Sequence, residues 1–239
     1  MYKRQLTNYE GLHTNAVLGF LNIIFKIMDE EKPDHMCVAF DVHEPTFRHL
    51  KYSAYKGTRK PMPEELREQV PLMKEVLTAM HVTIVEKGGY EADDIIGTIS
   101  RMAERNGYAT VIVSGDRDLL QLATDTILVR IPKTKASGTT IENYYAKDVV
   151  EAYGVTPVQF IDMKGLMGDT SDNIPGVPGI GEKTAAKLMI EYGSMENILD
   201  HLDMVKPPRV QKNLTENMDL AVMSVSYTHL RAHETTLHL

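Results

Sequence analysis

The stretch Glu91-Ala92-Asp93-Asp94-Ile95-Ile96-Gly97-Thr98-Ile99-Ser100-Arg101-Met102-Ala103-Glu104-Arg105-Asn106-Gly107-Tyr108-Ala109-Thr110-Val111-Ile112-Val113-Ser114-Gly115-Asp116-Arg117-Asp118 decides the fold. Its first half sets Ile95, Ile96, Ile99, Met102 and Ala103 at helical spacing, begins with acids that offset the macrodipole, and offers Gly107 as a C-terminal cap. A short buried strand follows at Thr110 to Val113, and Asp116 and Asp118 lie just past its carboxyl end. Helix, strand, then acids is one unit of a parallel α/β sheet, whose ligands gather at that edge.

The same alternation extends outward. Upstream, Val17, Leu18, Leu21, Ile24, Phe25 and Met28 mark a helix over Ala16 to Glu31, ended by Lys32-Pro33-Asp34. A strand over His35 to Phe40 leads to Asp41, and a helical pattern over Pro63 to Met80 precedes a strand over His81 to Val85. Downstream, after a strand over Thr126 to Ile131, the pattern turns helical at Ala146 to Tyr153, Pro157 to Met167, Glu182 to Tyr192 and Ser194 to Leu202. The reading is a doubly wound, mostly parallel, Rossmann-like α/β core over residues 6–145, then a helical region over 146–223. Residues 1–5 and 226–239 break the composition and read as foreign ends; His229 and His233, one helical turn apart, lack a third zinc ligand.

A chain of 239 residues with 43% hydrophobic and 25% charged content is ordinary for a soluble globular protein. The net charge of −7 argues against a nucleic-acid partner on average, but local distribution overrides it. The one cysteine, Cys37, excludes an internal disulfide, fits a reducing cytoplasm and is expected to pack as a small hydrophobe. The apolar run Ala16 to Phe25 is broken by Gly19 and Asn22 and is too short to span a bilayer.

Asp41, Glu91, Asp93, Asp94, Asp116, Asp118, Asp169 and Asp172 all fall where a strand ends or a helix begins. Each cluster alone is explained by capping or by the helix dipole. Together they would gather eight like charges at one edge, which calls for positive charge among them, and hard divalent cations with oxygen ligands supply it. Glu182, in the turn that follows, points elsewhere.

Residues 42–62 form a basic segment: Arg48, Lys51, Lys56, Arg59 and Lys60, interleaved with Phe47, Tyr52 and Tyr55. Such residues neutralise backbone phosphates and stack on unpaired bases, although a charge run by itself is more often a solvated face. Gly176, Gly179 and Gly181 permit a tight turn and close backbone approach, and Lys183 and Thr184 open a helix whose free N–H groups suit phosphate.

Pro45-Thr46-Phe47-Arg48-His49, Tyr55-Lys56-Gly57-Thr58-Arg59, Gly89-Tyr90-Glu91-Ala92-Asp93-Asp94, Gly115-Asp116-Arg117-Asp118-Leu119-Leu120-Gln121-Leu122 and the long run Leu166 to Ala185 are, in order and spacing, highly specific. From Leu6 to about Met223 the chain resembles the 5′ nuclease domains at the amino end of bacterial DNA polymerase I, within the flap endonuclease family. The resemblance implies a PIN-like core and a helix-hairpin-helix. It implies a 5′-3′ exonuclease and flap endonuclease using two Mg²⁺ ions, with Mn²⁺ able to substitute and K⁺ at the hairpin. Asp41, Glu91, Asp93 and Asp94 would serve one metal, and Asp116, Asp118, Asp169 and Asp172 the other. Lys56 and Arg59 would meet the scissile phosphate, while Arg48, Lys51, Tyr55, Lys60, Gly176, Gly179, Gly181, Lys183 and Thr184 would contact DNA. Partners would be DNA with 5′ flaps, nicks or RNA primers, bound by a cytoplasmic monomer with a polymerase domain following in the full-length chain. The family opens with a strand ending in Asp-Gly-Asn. That strand and its ligand Asp are expected to be missing here, which leaves a catalytically inactive DNA-binding fragment as the alternative.

Overall fold

The computed structural model describes residues 6–135 and 138–230. In chain order its elements are α1 (Asn15–Glu31), β1 (Cys37–Ala39), α2 (Phe47–Lys51), α3 (Glu64–Arg67), α4 (Gln69–Ala79), β2 (Thr83–Val85), α5 (Ala92–Arg105), β3 (Thr110–Val113), β4 (Ile127–Lys135) and β5 (Gly138–Tyr144). Helices α6 (Ala146–Tyr153), α7 (Pro157–Met167), α8 (Glu182–Tyr192), α9 (Met195–Asp200), α10 (Pro208–Glu216) and α11 (Met218–Thr228) follow. Two compact units result, one of Met1–Val42 with Lys60–Lys87, the other of His43–Arg59 with Gly88–Leu239.

In the first unit β1 and β2 pair in parallel, Val38 opposite Ile84. Ile24 of α1 packs with Leu77 and Val82, flanked by Phe20, Val38 and Phe40. Buried Gln69 reaches from α4 to the open start of α1, its Oε1 accepting from Ala16 N at 2.8 Å and Val17 N at 3.3 Å, which satisfies N–H groups that have no partner within the helix. Asp41, just past β1, is exposed, and Cys37 is exposed on β1 rather than packed as its apolar surroundings suggest.

In the second unit β3 pairs with β4 in parallel and β4 with β5 antiparallel. Ile112, Ile127 and Val129 of this sheet share one core with Phe160, Met163 and Leu166 of α7, Leu188 and Met189 of α8, and Leu214 of α10. Gly107 takes φ +80 directly after the C-cap of α5, as expected.

Among the described residues the strands fall in a parallel pair, β1-β2, and a mixed triplet, β3-β4-β5, in keeping with the mixed α/β class expected. Strand β5 was not anticipated because Ile141 and Tyr144 are its only large nonpolar residues. Arg117–Leu122 is a 3-10 helix, and the helical run before β2 divides at Glu68. Residues 226–230, read from sequence as part of a foreign end, are packed here: Tyr227, Thr228 and Leu230 are buried, and Leu230 N donates to Gln121 Oε1 at 2.9 Å. His233 lies outside the described residues. No helix among the described residues is long and apolar enough to cross a membrane.

Candidate metal and phosphate site

Glu91 caps α5 through a reciprocal box, its side chain facing the backbone of Asp94 while Asp94 Oδ2 accepts from Glu91 N at 3.2 Å. This brings two acids to a buried helix start. Arg48 of α2, 1% exposed, answers them with Nη1 on Asp94 Oδ2 at 2.7 Å, Nη2 on Asp94 Oδ1 at 2.9 Å and Nη1 on Glu91 Oε2 at 3.3 Å. Burial opposes its charge, but Asp94 and Glu91 more than offset that and hold the guanidinium proton tighter than usual.

Asp172 joins the same group. The Tyr55 hydroxyl lies 3.0 Å from both Glu91 Oε2 and Asp172 Oδ2, so its single proton serves one of the two at a time. Burial and the two carboxylates push that hydroxyl far above its ordinary pKa. Lys56 Nζ donates to Glu91 Oε1 at 2.6 Å, and Arg59 Nη2 pairs with Asp172 Oδ1.

A second group forms around Lys164, in the last turn of α7. Its ammonium lies 2.9 Å from Asp118 Oδ1 and 2.8 Å from Asp169 Oδ2. Burial pushes the Asp118 carboxyl up to about 6, Lys164 pulling the other way and the charges of Asp116 and Asp169 adding to the rise. Burial acts on Asp169 too, yet Lys164 and Ser171 bring it down to about 2. Asp116 is exposed and accepts from Asp118 N at 2.9 Å.

Loop 169–175, which carries Asp169 and Asp172, is closed by a backbone bridge between Asp169 and Ile174. Its two ends meet at Gly168 and Gly176, both with positive φ, and a Cβ on Gly176 would lie 2.3 Å from Gly168 N. Glycine is required at both positions because backbone meets backbone there.

Seven of the eight predicted carboxylates therefore lie in the second unit, six of them in the two groups described, with Asp41 in the first. Side-chain cations supply the positive charge that the sequence pattern called for. Among the described residues no three acidic, histidine or cysteine side chains converge as a ready metal cage. Asp118 and Asp169 already flank one positive group, the Lys164 ammonium, and their carboxylate oxygens are of the ligand type that a hard divalent cation takes. Asp94 does not fit, since both its oxygens are taken by Arg48. Asp93 is half-buried on α5.

Three expected DNA contacts are inside instead. Arg48 is enclosed as described, and the Tyr55 ring stacks on Tyr227 at 6.1 Å beside Ile174, leaving it 3% exposed. Gly176 is buried as well. Lys51, Lys60, Gly179, Gly181 and Lys183 are exposed, Thr184 is half-buried, and Glu182 is exposed at the start of α8. Lys164 was missed; the available signal was a basic residue one turn before Gly168-Asp169.

An α/β sheet with acids and cations at its strand and helix ends, continued by helices that carry a glycine turn, is the architecture of a 5′ nuclease. Residues 1–154 match the 5'-3' exonuclease N-terminal resolvase-like domain, and residues 155–237 match the 5'-3' exonuclease C-terminal SAM fold. The chain belongs to the 5′-3′ exonuclease family, in the branch found in DNA polymerase I. It is 50% identical over 219 residues to DNA polymerase I of Bacillus subtilis and 52% identical over 219 residues to that of Geobacillus stearothermophilus, in each case across 92% of this chain and 25% of the relative. The chain thus spans about a quarter of the length of the curated relatives it matches. Among solved structures, a zinc-bound T5 5′-exonuclease superposes with a TM-score of 0.76 at 24% identity, covering 90% of this chain and 82% of that one. The bacteriophage T5 D15 flap endonuclease, in a pseudo-enzyme-product complex with DNA and metal ions, gives 0.76 at 23% identity over 94% and 86%. At these identities the likeness is one of fold.

Proposed function

We propose that this chain is the metal-dependent 5′-3′ exonuclease and 5′-flap endonuclease portion of a DNA polymerase I, removing flaps and RNA primers. The observation that carries the reading is the placement of Lys56 and Arg59, the candidate phosphate-binding cations, directly on Glu91 and Asp172, so that groups for phosphate and groups for metal share one place. Asp116, Asp118 and Asp169, with Asp172 beside them, would hold one Mg²⁺ ion, and Glu91 would contribute to a second. Mn²⁺ would be able to substitute. Bound there, the ions would act as Lewis acids on the phosphate oxygens and lower the pKa of the attacking water.

The chain's own residues do the rest. Lys56 and Arg59 neutralise charge developing on the phosphate. Exposed Lys51 and Lys60 attract the DNA backbone, and the turn at Gly179 and Gly181 brings the N–H groups at the start of α8, with Lys183 and Thr184, against duplex phosphate. The reading extends to a cytoplasmic monomer acting on nicked or flapped DNA, with K⁺ at the glycine turn and a polymerase domain in the same full-length protein.

Cleavage of 5′-flapped DNA by the full-length protein in Mg²⁺, silent in EDTA, tests it. Asp116→Ala should abolish cutting while flap binding survives, because Asp116 is exposed and takes no part in the core. Full activity in that variant would remove the site assignment, and binding without any metal-dependent cut would leave a DNA-binding module.

A further inference from the structure

We propose that Glu91 and Asp172 serve two sets of cations in turn, holding Lys56 and Arg59 in the metal-free protein and releasing them to the DNA phosphate when a divalent metal takes the same oxygens. This deepens the proposed function and rests on it. Segment 171–173 grips residues 54–59 at two levels. The backbone level consists of Lys56 N on Asp172 O at 2.8 Å and Asn173 Nδ2 on Ala54 O at 2.7 Å. These contacts use no carboxylate oxygen and keep the base of the basic segment at the site in either state.

The side-chain level is exchangeable. Lys56 Nζ is 2.6 Å from Glu91 Oε1 and 4.0 Å from Asp172 Oδ2, and Arg59 pairs with Asp172 Oδ1. The Lys56 and Arg59 side chains are 22% and 47% exposed, so each has solvent to swing into. Arg48 has none, at 1%, and remains as the permanent counter-charge of Asp94. A divalent ion on Glu91 or Asp172 competes for their lone pairs and repels the two nearby side-chain cations. The cations set free are those that the phosphate needs. Coupling of this kind is reciprocal, so phosphate binding to Lys56 and Arg59 must in turn tighten metal binding.

The test needs neither DNA nor turnover. Acetylation of Lys56 Nζ by an activated ester, read by peptide mass spectrometry on the full-length protein, is compared in EDTA and in Mg²⁺, with exposed Lys51 as internal reference and Mg²⁺ binding followed by calorimetry. Mg²⁺ should raise Lys56 labelling about fivefold relative to Lys51, equivalent to roughly 1 kcal/mol, the upper end for a partly exposed ion pair. Asp172→Asn should shrink that rise, and Glu91→Gln should give high labelling already in EDTA. Measured Mg²⁺ binding with unchanged Lys56 labelling overturns the exchange and leaves the nuclease reading intact. Absence of Mg²⁺ binding overturns both. An equal rise at Lys51 and Lys56 overturns the exchange, because the change is then not confined to the site.

Discussion

Arg48 spans Asp94 with a two-pronged contact, Nη1 to Oδ2 at 2.7 Å and Nη2 to Oδ1 at 2.9 Å, at a place where both side chains are closed to solvent. Such a pair is weak evidence for net stability, yet losing one partner strands a buried charge. Arg48→Met should therefore lower unfolding free energy by about 3 to 5 kcal/mol. Removing both charges with Asp94→Leu added should recover much of it, and urea titration reads both. A stable Arg48→Met protein that has lost DNA affinity alone would return Arg48 to the DNA-binding role suggested by its basic neighbours.

Gly176 sets the position of the carboxylate loop. A Cβ there would meet Gly168 N at 2.3 Å and Met167 C at 2.5 Å, and its φ of +59 disfavours any L side chain. Gly176→Ala should destabilise by about 2 to 5 kcal/mol, adding overpacking to left-handed strain, and should weaken Mg²⁺ binding because Asp169 and Asp172 sit on the displaced loop. Gly181 is the contrast, with nothing within 4 Å and an extended φ of −100. Gly181→Ser should hold stability within about 0.5 kcal/mol while weakening duplex binding measured by anisotropy. If Gly181→Ser binds duplex as tightly as the parent, the turn does not approach DNA.

Asp118 gives the metal-free protein a pH dependence. Its carboxyl is raised from 3.8 to about 6, with burial as the main cause, so the fold favours the protonated form. Its stabilising contribution is complete below the unfolded value of 3.8 and is lost as pH rises through about 6. Asp169 has the opposite sign: lowered to about 2, it contributes above its ordinary value and loses that only on strong acidification. In EDTA the urea midpoint should therefore fall between about pH 4 and pH 6, Asp118→Asn should flatten the fall, and Mg²⁺ should reduce it because divalent charge favours the ionised carboxylate. An equal fall in Asp118→Asn would assign the effect to another group.

Helix α5 and strand β3 were readable because their apolar spacing repeats over whole elements, and the acids at their ends were readable because capping positions are local. What surrounds those acids was not. Lys164 in a helix, or Arg48 in a basic run, has the same one-dimensional appearance whether it is solvated or clamped between carboxylates more than forty residues away, as Arg48 is with Asp94. Tyr55 illustrates the same limit. Its basic neighbours suggested a face for stacking on bases, while contacts with Ile174 and Tyr227, far off in sequence, turn the ring inward. Strand β5 escaped because pairing with β4, not its own hydrophobicity, defines it.

Lys56 separates a catalytic cation from a structural one. Its Nζ lies 2.6 Å from Glu91 with the side chain 22% exposed, and Arg48 and Tyr55 also contact that carboxylate, so loss of Lys56 leaves Glu91 neither bare nor unpaired. Partly exposed ion pairs contribute about 1 kcal/mol or less, and the thermal midpoint of Lys56→Ala should move by only a few degrees. Charge developing on a transferring phosphoryl group is a different matter, because a preorganised cation acts there without the reorganisation that water would need. Single-turnover flap cleavage by Lys56→Ala should slow by on the order of a hundredfold, with Lys56→Arg restoring part of the rate. A parent-like rate in Lys56→Ala would reduce the residue to a surface counter-charge for Glu91. A collapse of the thermal midpoint would show instead that the ion pair holds the start of α5 in place.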